Sequence, residues 1–297
     1  MWTSKNWQDY ELLDCSDGER LERWGKYILI RPDPQVIWKN ARHNALWKHA
    51  DAEYNRSKSG GGSWSEKSEL PSDWRLSYGA LRFMVRPTGF KHTGIFPEQA
   101  VNWDWFSNLI RNEKREIKVL NLFAYTGGAT VAAAKAGASV VHVDAAKGMV
   151  EQAKINAKLS GLENAPIRYI VDDCMKFIAR EQRRGNTYDA IIMDPPSYGR
   201  GPSGETWKLE ENLSDFVNEA MKLLSDDPLF VLINSYTTGL SPSTTSYVLD
   251  LALHSRYPQR IPRGSLTADE IGLPVTESGD VLPCGASARW EKSSGGK

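Results

Sequence analysis

The sequence predicts an α/β protein: a Rossmann-like sheet of seven strands, the last antiparallel, joined to a smaller β-rich N-terminal domain. Three observations predict it. Residues 117–144 read as a strand, a glycine turn, a helix, a strand and a terminal acid, which is one βαβ unit. Beyond Asp144 the same alternation of apolar runs and amphipathic helices continues to His254. Before residue 97 the pattern is instead one of short strand-like runs and turn signals, and all of the 11 tryptophans except Trp207 and Trp290 lie at or before Trp105. The expected domains are therefore 1–96, a candidate substrate- or RNA-binding part, and 97–297, a cofactor-binding part.

In chain order, 10–14, 27–31 and 81–85 read as strands, divided by turn signals such as Ser16-Asp17-Gly18 and Arg31-Pro32-Asp33-Pro34. Ser57 to Ser63 reads as a flexible loop. Residues 38–58 carry Lys39, Arg42, Lys48, Arg56 and Lys58 against Asp51 and Glu53, interleaved with His43, His49, Trp38, Trp47 and Tyr54. Cations among aromatics suit a phosphate backbone with stacked bases, Lys39 and Arg42 being the named candidates; a solvated face over packed rings is the competing reading. The loop from Pro87 to Gln99 leads into a helix at 98–111, with Pro97 at a tolerated first position.

The unit at 117–144 carries the first functional signal. The run Ile117 to Phe123 is a buried strand, Ala124-Tyr125-Thr126-Gly127-Gly128 a turn, 129–136 a small-residue helix, and 139–143 a second strand ending in Asp144. Glycine at the turn lets backbone pass close under a ligand, and an acid there accepts two ribose hydroxyls. The glycines fall at 127, 128 and 137, so the dinucleotide fingerprint is absent, and Ala129-Thr130 after Gly128 excludes a P-loop. A ribose-bearing cofactor without a phosphate remains, and S-adenosylmethionine fits that description.

Helix 146–160 ends at Gly161, and strand 167–171 runs into Asp172-Asp173. Asp173 is the expected adenine contact, with Asp172 as the cap of a helix at 175–183. Strand 188–193 ends in Asp194-Pro195-Pro196-Ser197-Tyr198. Two prolines remove two amide donors there, leaving carbonyls and the Asp194 carboxylate as acceptors toward a base edge beside a methyl sulfonium, so Asp194 is an expected contact of the cofactor as well as of the base. Tyr198 to Gly204 reads as a mobile substrate loop, with Tyr198 and Arg200 as its contacts. Helices at 212–224 and 243–254, a strand at 229–234, and strands near 263–267 and at 281–290 complete the sheet.

Lys+Arg and Asp+Glu are both 37, so no net field draws the chain to a polyanion. Apolar runs are too short to span a bilayer, the start Met1-Trp2-Thr3-Ser4-Lys5 has no signal-peptide core, and Cys15, Cys174 and Cys284 lack metal-site or disulfide spacing. The expected setting is cytoplasmic and reducing, without membrane or metal.

Asn121-Leu-Phe-Ala-Tyr-Thr-Gly-Gly128, Lys91-His-Thr-Gly-Ile-Phe-Pro-Glu-Gln99 and Asp194-Pro-Pro-Ser197 together resemble the S-adenosylmethionine-dependent methyltransferases of the large-subunit rRNA cytosine-C5 type, over roughly residues 75–290. The resemblance implies a class I methyltransferase fold acting on a base of ribosomal RNA or a ribosomal particle. It implies that Phe123, Ala124, Tyr125, Thr126, Gly127 and Gly128 line the methionine and ribose, and that Asp144, with Ala145, holds the ribose. Asp173 is implied at the adenine, and Thr93 and Gln99 as reaching in from the preceding loop. Two departures stand out. The N-terminal region does not look like the PUA module of many relatives. The fifth strand ends in Asn234-Ser235-Tyr236, where the cytosine-C5 relatives present a cysteine.

The second departure bears on mechanism. Pyrimidine C5 becomes nucleophilic only after a thiolate adds at C6, so that route needs a positioned cysteine. Cys284, in Leu282-Pro283-Cys284-Gly285, is the candidate, since Cys174 faces its own helix. Without a cysteine the acceptor is an exocyclic amine or another heteroatom, oriented by Asp194 and the Pro195 carbonyl for in-line displacement. Two further classes remain open: a methyltransferase for a small molecule or protein side chain, and a non-catalytic cofactor-binding assembly factor.

Overall fold

The computed structural model describes residues 1–57, 61–89, 91–200, 206–237 and 239–293, with the side chain of Arg200 outside that description. The chain divides into two compact units, one of Met1–Val101 with Ile271–Cys284, the other of Asn102–Glu270 with Gly285–Lys297.

The first unit is β-rich. It contains β1 (Trp2–Thr3), β2 (Tyr10–Ser16), β3 (Glu19–Trp24), β4 (Tyr27–Pro32), β5 (Ala52–Arg56), β6 (Gly62–Glu66), β7 (Trp74–Tyr78) and β8 (Leu81–Val85). Strands β2-β3-β4-β5-β6 form one sheet and β7-β8 a hairpin, while β1 pairs parallel with Ile271 and Gly272. Leu21, Trp24, Leu29, Leu76, Phe83 and Val85 are buried in it. Three of these strands, β2, β4 and β8, fall where the hydrophobic runs indicate. The stretch at 57–63 is in part strand: Gly62 opposes Arg56 and Ser63 opposes Asn55 in the β5–β6 ladder. Residues 58–60, Lys58 among them, lie outside the described residues.

Strand β3, Glu-Arg-Leu-Glu-Arg-Trp, looks too charged to be a buried strand, yet Glu22 is fully buried. Its carboxylate accepts from Arg31 Nε at 2.6 Å and Nη2 at 2.8 Å, and from the Tyr10 hydroxyl at 2.7 Å. Arg20 pairs likewise with Asp33. A buried charge is tolerated only when paired and hydrogen-bonded in this way. Burial alone would raise the Glu22 carboxyl, but the Arg31 guanidinium and these hydrogen bonds hold it at about 2, below the ordinary 4.5. The folded-state value is depressed, so its stabilisation is present above pH 4.5 and is lost as pH falls toward 2. The shift corresponds to about 3 kcal/mol. Chemical unfolding of wild type and Glu22→Gln from pH 6 to pH 2 should therefore give curves that converge toward acid; parallel curves would show that the pair contributes nothing of this kind.

The second unit carries α1 (Ala100–Asn112), β9 (Lys118–Leu122), α2 (Gly128–Lys135), β10 (Ser139–Asp144), α3 (Lys147–Leu159), β11 (Ile167–Val171), α4 (Cys174–Arg184) and β12 (Ala190–Met193). It continues with β13 (Tyr198–Arg200), β14 (Thr206–Lys208), α5 (Leu209–Met221), β15 (Phe230–Ser235) and α6 (Pro242–Arg256), and with the parts of β16 (Gly264–Pro274) and β17 (Val281–Lys292) that lie outside Ile271–Cys284. The seven expected strands stand in the order β16-β17-β15-β12-β9-β10-β11, and β1 adds an eighth strand beside β16. Strands β15, β12, β9, β10 and β11 are parallel and β17 runs antiparallel on β15. Near-continuous apolar runs suit the inner strands, whose side chains are covered on both faces: every residue of β12 and of β15 is buried. Leu120, Ile191, Phe216, Val217, Leu249 and Val231 belong to the core cluster packed along the sheet. The expected loop at 198–204 is flanked by structure, because Tyr198 pairs with Lys208 and Gly199 with Trp207 in an antiparallel ladder; residues 201–205 lie outside the described residues.

Candidate active site

Strand register assembles the site. Leu122, Val143, Ile170, Met193 and Ile233 stand in one row across the five parallel strands. The next residue on each strand therefore falls at the carboxyl edge: Phe123, Asp144, Val171 leading to Asp172-Asp173, Asp194 and Asn234. Strand order reverses at β9, with β10 on one side and β12 on the other, so Phe123 lies at the switch point where such sheets bind ligands. Asp144 and Asp194 flank it from neighbouring strands, roughly 10 Å apart by the spacing of a sheet.

The turn after β9 is built to hold this geometry. Phe123 and Tyr125 have φ of 55° and 50°, left-handed values that side chains rarely adopt. Hydrogen bonds hold them there: Phe123 N donates to Cys174 Sγ at 3.4 Å, Ala124 N to the Val143 carbonyl at 3.0 Å, and Tyr125 N to Asp144 Oδ2 at 2.8 Å. Gly127, at φ 82°, precedes α2. A Cβ on Gly127 would stand 2.8 Å from the Ala153 Cβ, and one on Gly128 would stand 2.8 Å from the Trp103 ring. Protein packed against the turn therefore leaves no room for a side chain at either glycine.

Asp144 is held from both sides, Oδ2 by Tyr125 N and Oδ1 by Ala146 N, each at 2.8 Å. A carboxylate has about four acceptor positions, so two backbone donors leave capacity for the two hydroxyls of a ribose. Burial pushes its carboxyl above the usual range while these two bonds pull it down. Ala145 follows at the exposed rim. Asp173 is the cap of α4, accepting from Lys176 N at 2.9 Å, while Asp172 accepts from Asp173 N and pairs with Arg180. The capping role falls on Asp173 rather than on Asp172, because Asp173 is the residue that immediately precedes the helix. On the other flank Asp194 and Pro195 follow β12, and the Pro196 carbonyl accepts from Trp207 Nε1 at 2.6 Å. Trp207 packs on Phe123, which joins the β13–β14 ladder to the turn after β9. Tyr198 is 54% exposed.

Other expected residues belong to the first unit. Thr93 and Gln99 belong to the first unit, where the Thr93 hydroxyl is buried without a hydrogen-bond partner among the described residues. Cys284 is also in the first unit, buried, donating to the Leu282 carbonyl and accepting from Arg20 Nη2 at 3.7 Å. Burial pushes its thiol far above the usual range, so the nucleophilic thiolate is disfavoured. Cys174, expected to face its own helix, has its sulfur on the Phe123 amide instead. Lys39 is exposed and pairs with Asp17 at 3.1 Å; Arg42 pairs with Glu19 at 2.7 Å and lies over the Trp47 ring. Trp47 is buried and donates to Asp14 Oδ2 at 2.8 Å, so the ring packs inside and does not stack on a base.

Two supporting networks have no motif in the sequence. Asn121 Nδ2 donates to Thr130 Oγ1 at 2.9 Å, and Thr130 bonds His142 Nδ1 at 2.9 Å beneath the turn. Burial pushes His142 down to about 3, so the ring stays neutral. At the fifth strand, Asn234 Oδ1 accepts from Ser287 Oγ at 2.8 Å and from Asn102 Nδ2 at 3.2 Å, and Arg289 donates to Asn102 Oδ1 at 2.9 Å. The one available signal is polar residues inside apolar strands, which must find partners.

This strand order, with an acid ending the strand beside the switch-point turn, defines a class I methyltransferase. The chain belongs to the S-adenosylmethionine-dependent methyltransferase family, which matches residues 35–225. A crystal structure of the SAM-dependent methyltransferase from Agrobacterium tumefaciens is similar over 98% of this chain and 93% of that one, at 38% identity and a TM-score of 0.90. A structure from Streptococcus mutans shares the fold at 19% identity, covering 97% and 76% of the two chains with a TM-score of 0.73. Among curated relatives, ribosomal RNA large subunit methyltransferase K/L of Shewanella frigidimarina is 32% identical over 160 residues, 53% of this chain and 22% of that protein. The protein of the same name from Syntrophotalea carbinolica is 29% identical over 184 residues, 61% and 25%. The chain thus spans a quarter or less of the length of these two relatives. Among the described residues no helix is long and apolar enough to cross a membrane, and no group of three or more His, Cys, Asp or Glu is placed to hold a metal ion.

The cofactor of the family is S-adenosylmethionine, and the remaining acceptor capacity of Asp144 fits its ribose. Asp144→Ala should weaken S-adenosylmethionine by about 1–3 kcal/mol, the cost of leaving ribose hydroxyls unpaired, with Asp144→Asn between the two. Titration calorimetry reads this directly; tight binding of NAD or ATP with none of S-adenosylmethionine would reverse the assignment.

Proposed function

We propose that this chain transfers a methyl group to a base of ribosomal RNA, at an exocyclic amine. The curated relatives named for ribosomal RNA support the substrate class. The observation that carries the choice of atom is the carboxyl edge of the sheet: Asp194-Pro195 stands in the row with Asp144, while the fifth-strand position holds a buried, hydrogen-bonded Asn234. An amide cannot replace the thiolate that C5 chemistry needs.

S-adenosylmethionine supplies an electrophilic methyl on a sulfonium. The chain's own residues have three tasks. Asp144 and the 123–128 turn hold the ribose and methionine, with Asp173 at the adenine edge. Asp194 and the Pro195 carbonyl accept the amine N–H groups and aim the nitrogen lone pair. Tyr198, on β13, contacts the base. Positioning of this kind converts a bimolecular encounter into an oriented one and supplies most of the rate. A ribosomal substrate puts the reaction in the cytoplasm.

The test is transfer of labelled methyl from S-adenosylmethionine to unmodified rRNA by the purified chain, followed by nucleoside chromatography. An N-methylated base is the expected product. A C5-methylated pyrimidine, or no label in RNA at all, would overturn the reading.

A further inference from the structure

Cations of the first unit divide into those already neutralised and those that are not. Arg20 is paired with Asp33, Arg31 with Glu22, Arg23 with Glu11 and Arg42 with Glu19. Several others, Arg56 and Lys91 among them, have no ion pair or side-chain hydrogen bond among the described residues. Arg56 is exposed at the end of β5, and Lys91 lies partly buried in the loop after β8.

Side-chain donors to backbone carbonyls tie the two segments together. Tyr54 and Arg56 share a face of β5, two residues apart. The Tyr54 hydroxyl donates to the Gly89 carbonyl at 3.0 Å, and Trp64, opposite Tyr54 on β6, donates from Nε1 to the Thr88 carbonyl at 2.9 Å. Arg31 Nη1 donates to the Lys91 carbonyl at 2.9 Å. The loop carrying Lys91 is therefore tied down on the ladder that carries Arg56, and Arg31, Arg20 and Arg56 all act on the Lys91 charge.

Charges there do not balance. Asp33 and Glu22 already hold Arg20 and Arg31, and burial pushes the nearby Glu98 carboxyl up toward its neutral form. Burial, together with Arg20, Arg31 and Arg56, pulls the Lys91 ammonium down against the field of Asp33. His92 is pushed down to about 3 by burial and the same cations, so it adds no charge. Two cations remain, one half-desolvated, at a repulsive site. Uncompensated charge of this kind is characteristic of places where a ligand supplies the missing sign.

We infer that Arg56 and Lys91 form a phosphate-binding subsite for a phosphodiester of single-stranded RNA, an inference that rests on the RNA reading above. Trp64, packed on Tyr54 at the edge of the same ladder, borders it.

The test uses the full chain and a fluorescein-labelled single-stranded RNA oligonucleotide, with anisotropy titrations over a series of KCl concentrations. Each neutralised phosphate contributes about 0.7 to the log–log salt slope on a single strand. R56Q and K91M should each flatten the slope by about 0.7 and the double variant by about 1.4. R42Q, whose charge is matched by Glu19, should leave it unchanged. The thermal midpoint of K91M should equal or exceed wild type, because a repulsive charge is removed; a lower midpoint would mean that the ammonium serves the fold and would count against the subsite. A steep wild-type slope retained in both R56Q and K91M would overturn the subsite while leaving the RNA reading intact. A wild type without salt-dependent RNA affinity would overturn both.

Discussion

Asp194→Ala is expected to lower methyl transfer by about 10²–10³-fold, the usual loss when one preorganised polar partner of the reacting group is removed. Cofactor affinity should fall far less than turnover, because Asp144, the proposed ribose acid, stands on a different strand. Cys284→Ser is the contrasting variant. Its sulfur is buried, and its thiol is held protonated, so activity should persist. Full activity in Asp194→Ala, or its abolition in Cys284→Ser with cofactor affinity unchanged, would move the chemistry to the covalent C5 route. Steady-state transfer with both variants separates the outcomes.

Gly127→Ala should be the most damaging small substitution in the turn after β9. At φ 82° a side chain costs about 1–2 kcal/mol, and its Cβ would meet Ala153 Cβ at 2.8 Å and Cα at 3.3 Å. Overpacking adds a further ~1–3 kcal/mol. A combined loss near 3 kcal/mol lowers the thermal midpoint by about 6–12 °C for a domain of this size. The same displacement moves the turn that carries Phe123 to Gly128, so calorimetry should also show weaker S-adenosylmethionine. A variant with the wild-type midpoint and affinity would mean that the turn tolerates a shift of the neighbouring helix.

Elements held together by local signals were legible in the sequence. The apolar runs at 117–123 and 139–143, the small-residue helix between them and the acid at 144 marked both the switch point and its carboxylate, because strand, turn and helix periods each follow from neighbouring residues. Strand β8 at Leu81–Val85 was legible for the same reason. Strand β3 was not. Its charges are satisfied by Arg31 and Asp33, and no local pattern reports a partner on another strand. Trp47 reads equally well as a stacking ring or a packed one, and the distinction is made by Asp14, 33 residues away in sequence. The Asn102–Asn234–Ser287–Arg289 network depends on separations of up to 187 residues, so nothing in any one segment announces it. What escaped the sequence is consistently long-range polar pairing.

Nucleoside mass spectrometry of ribosomal RNA from a deletion strain tests the central claim most directly. One N-methylated nucleoside should fall to its unmodified form in the deletion, return with the wild-type chain and fail to return with Asp194→Ala. Identical nucleosides in the parent and deletion strains, or restoration by Asp194→Ala equal to wild type, would contradict the account.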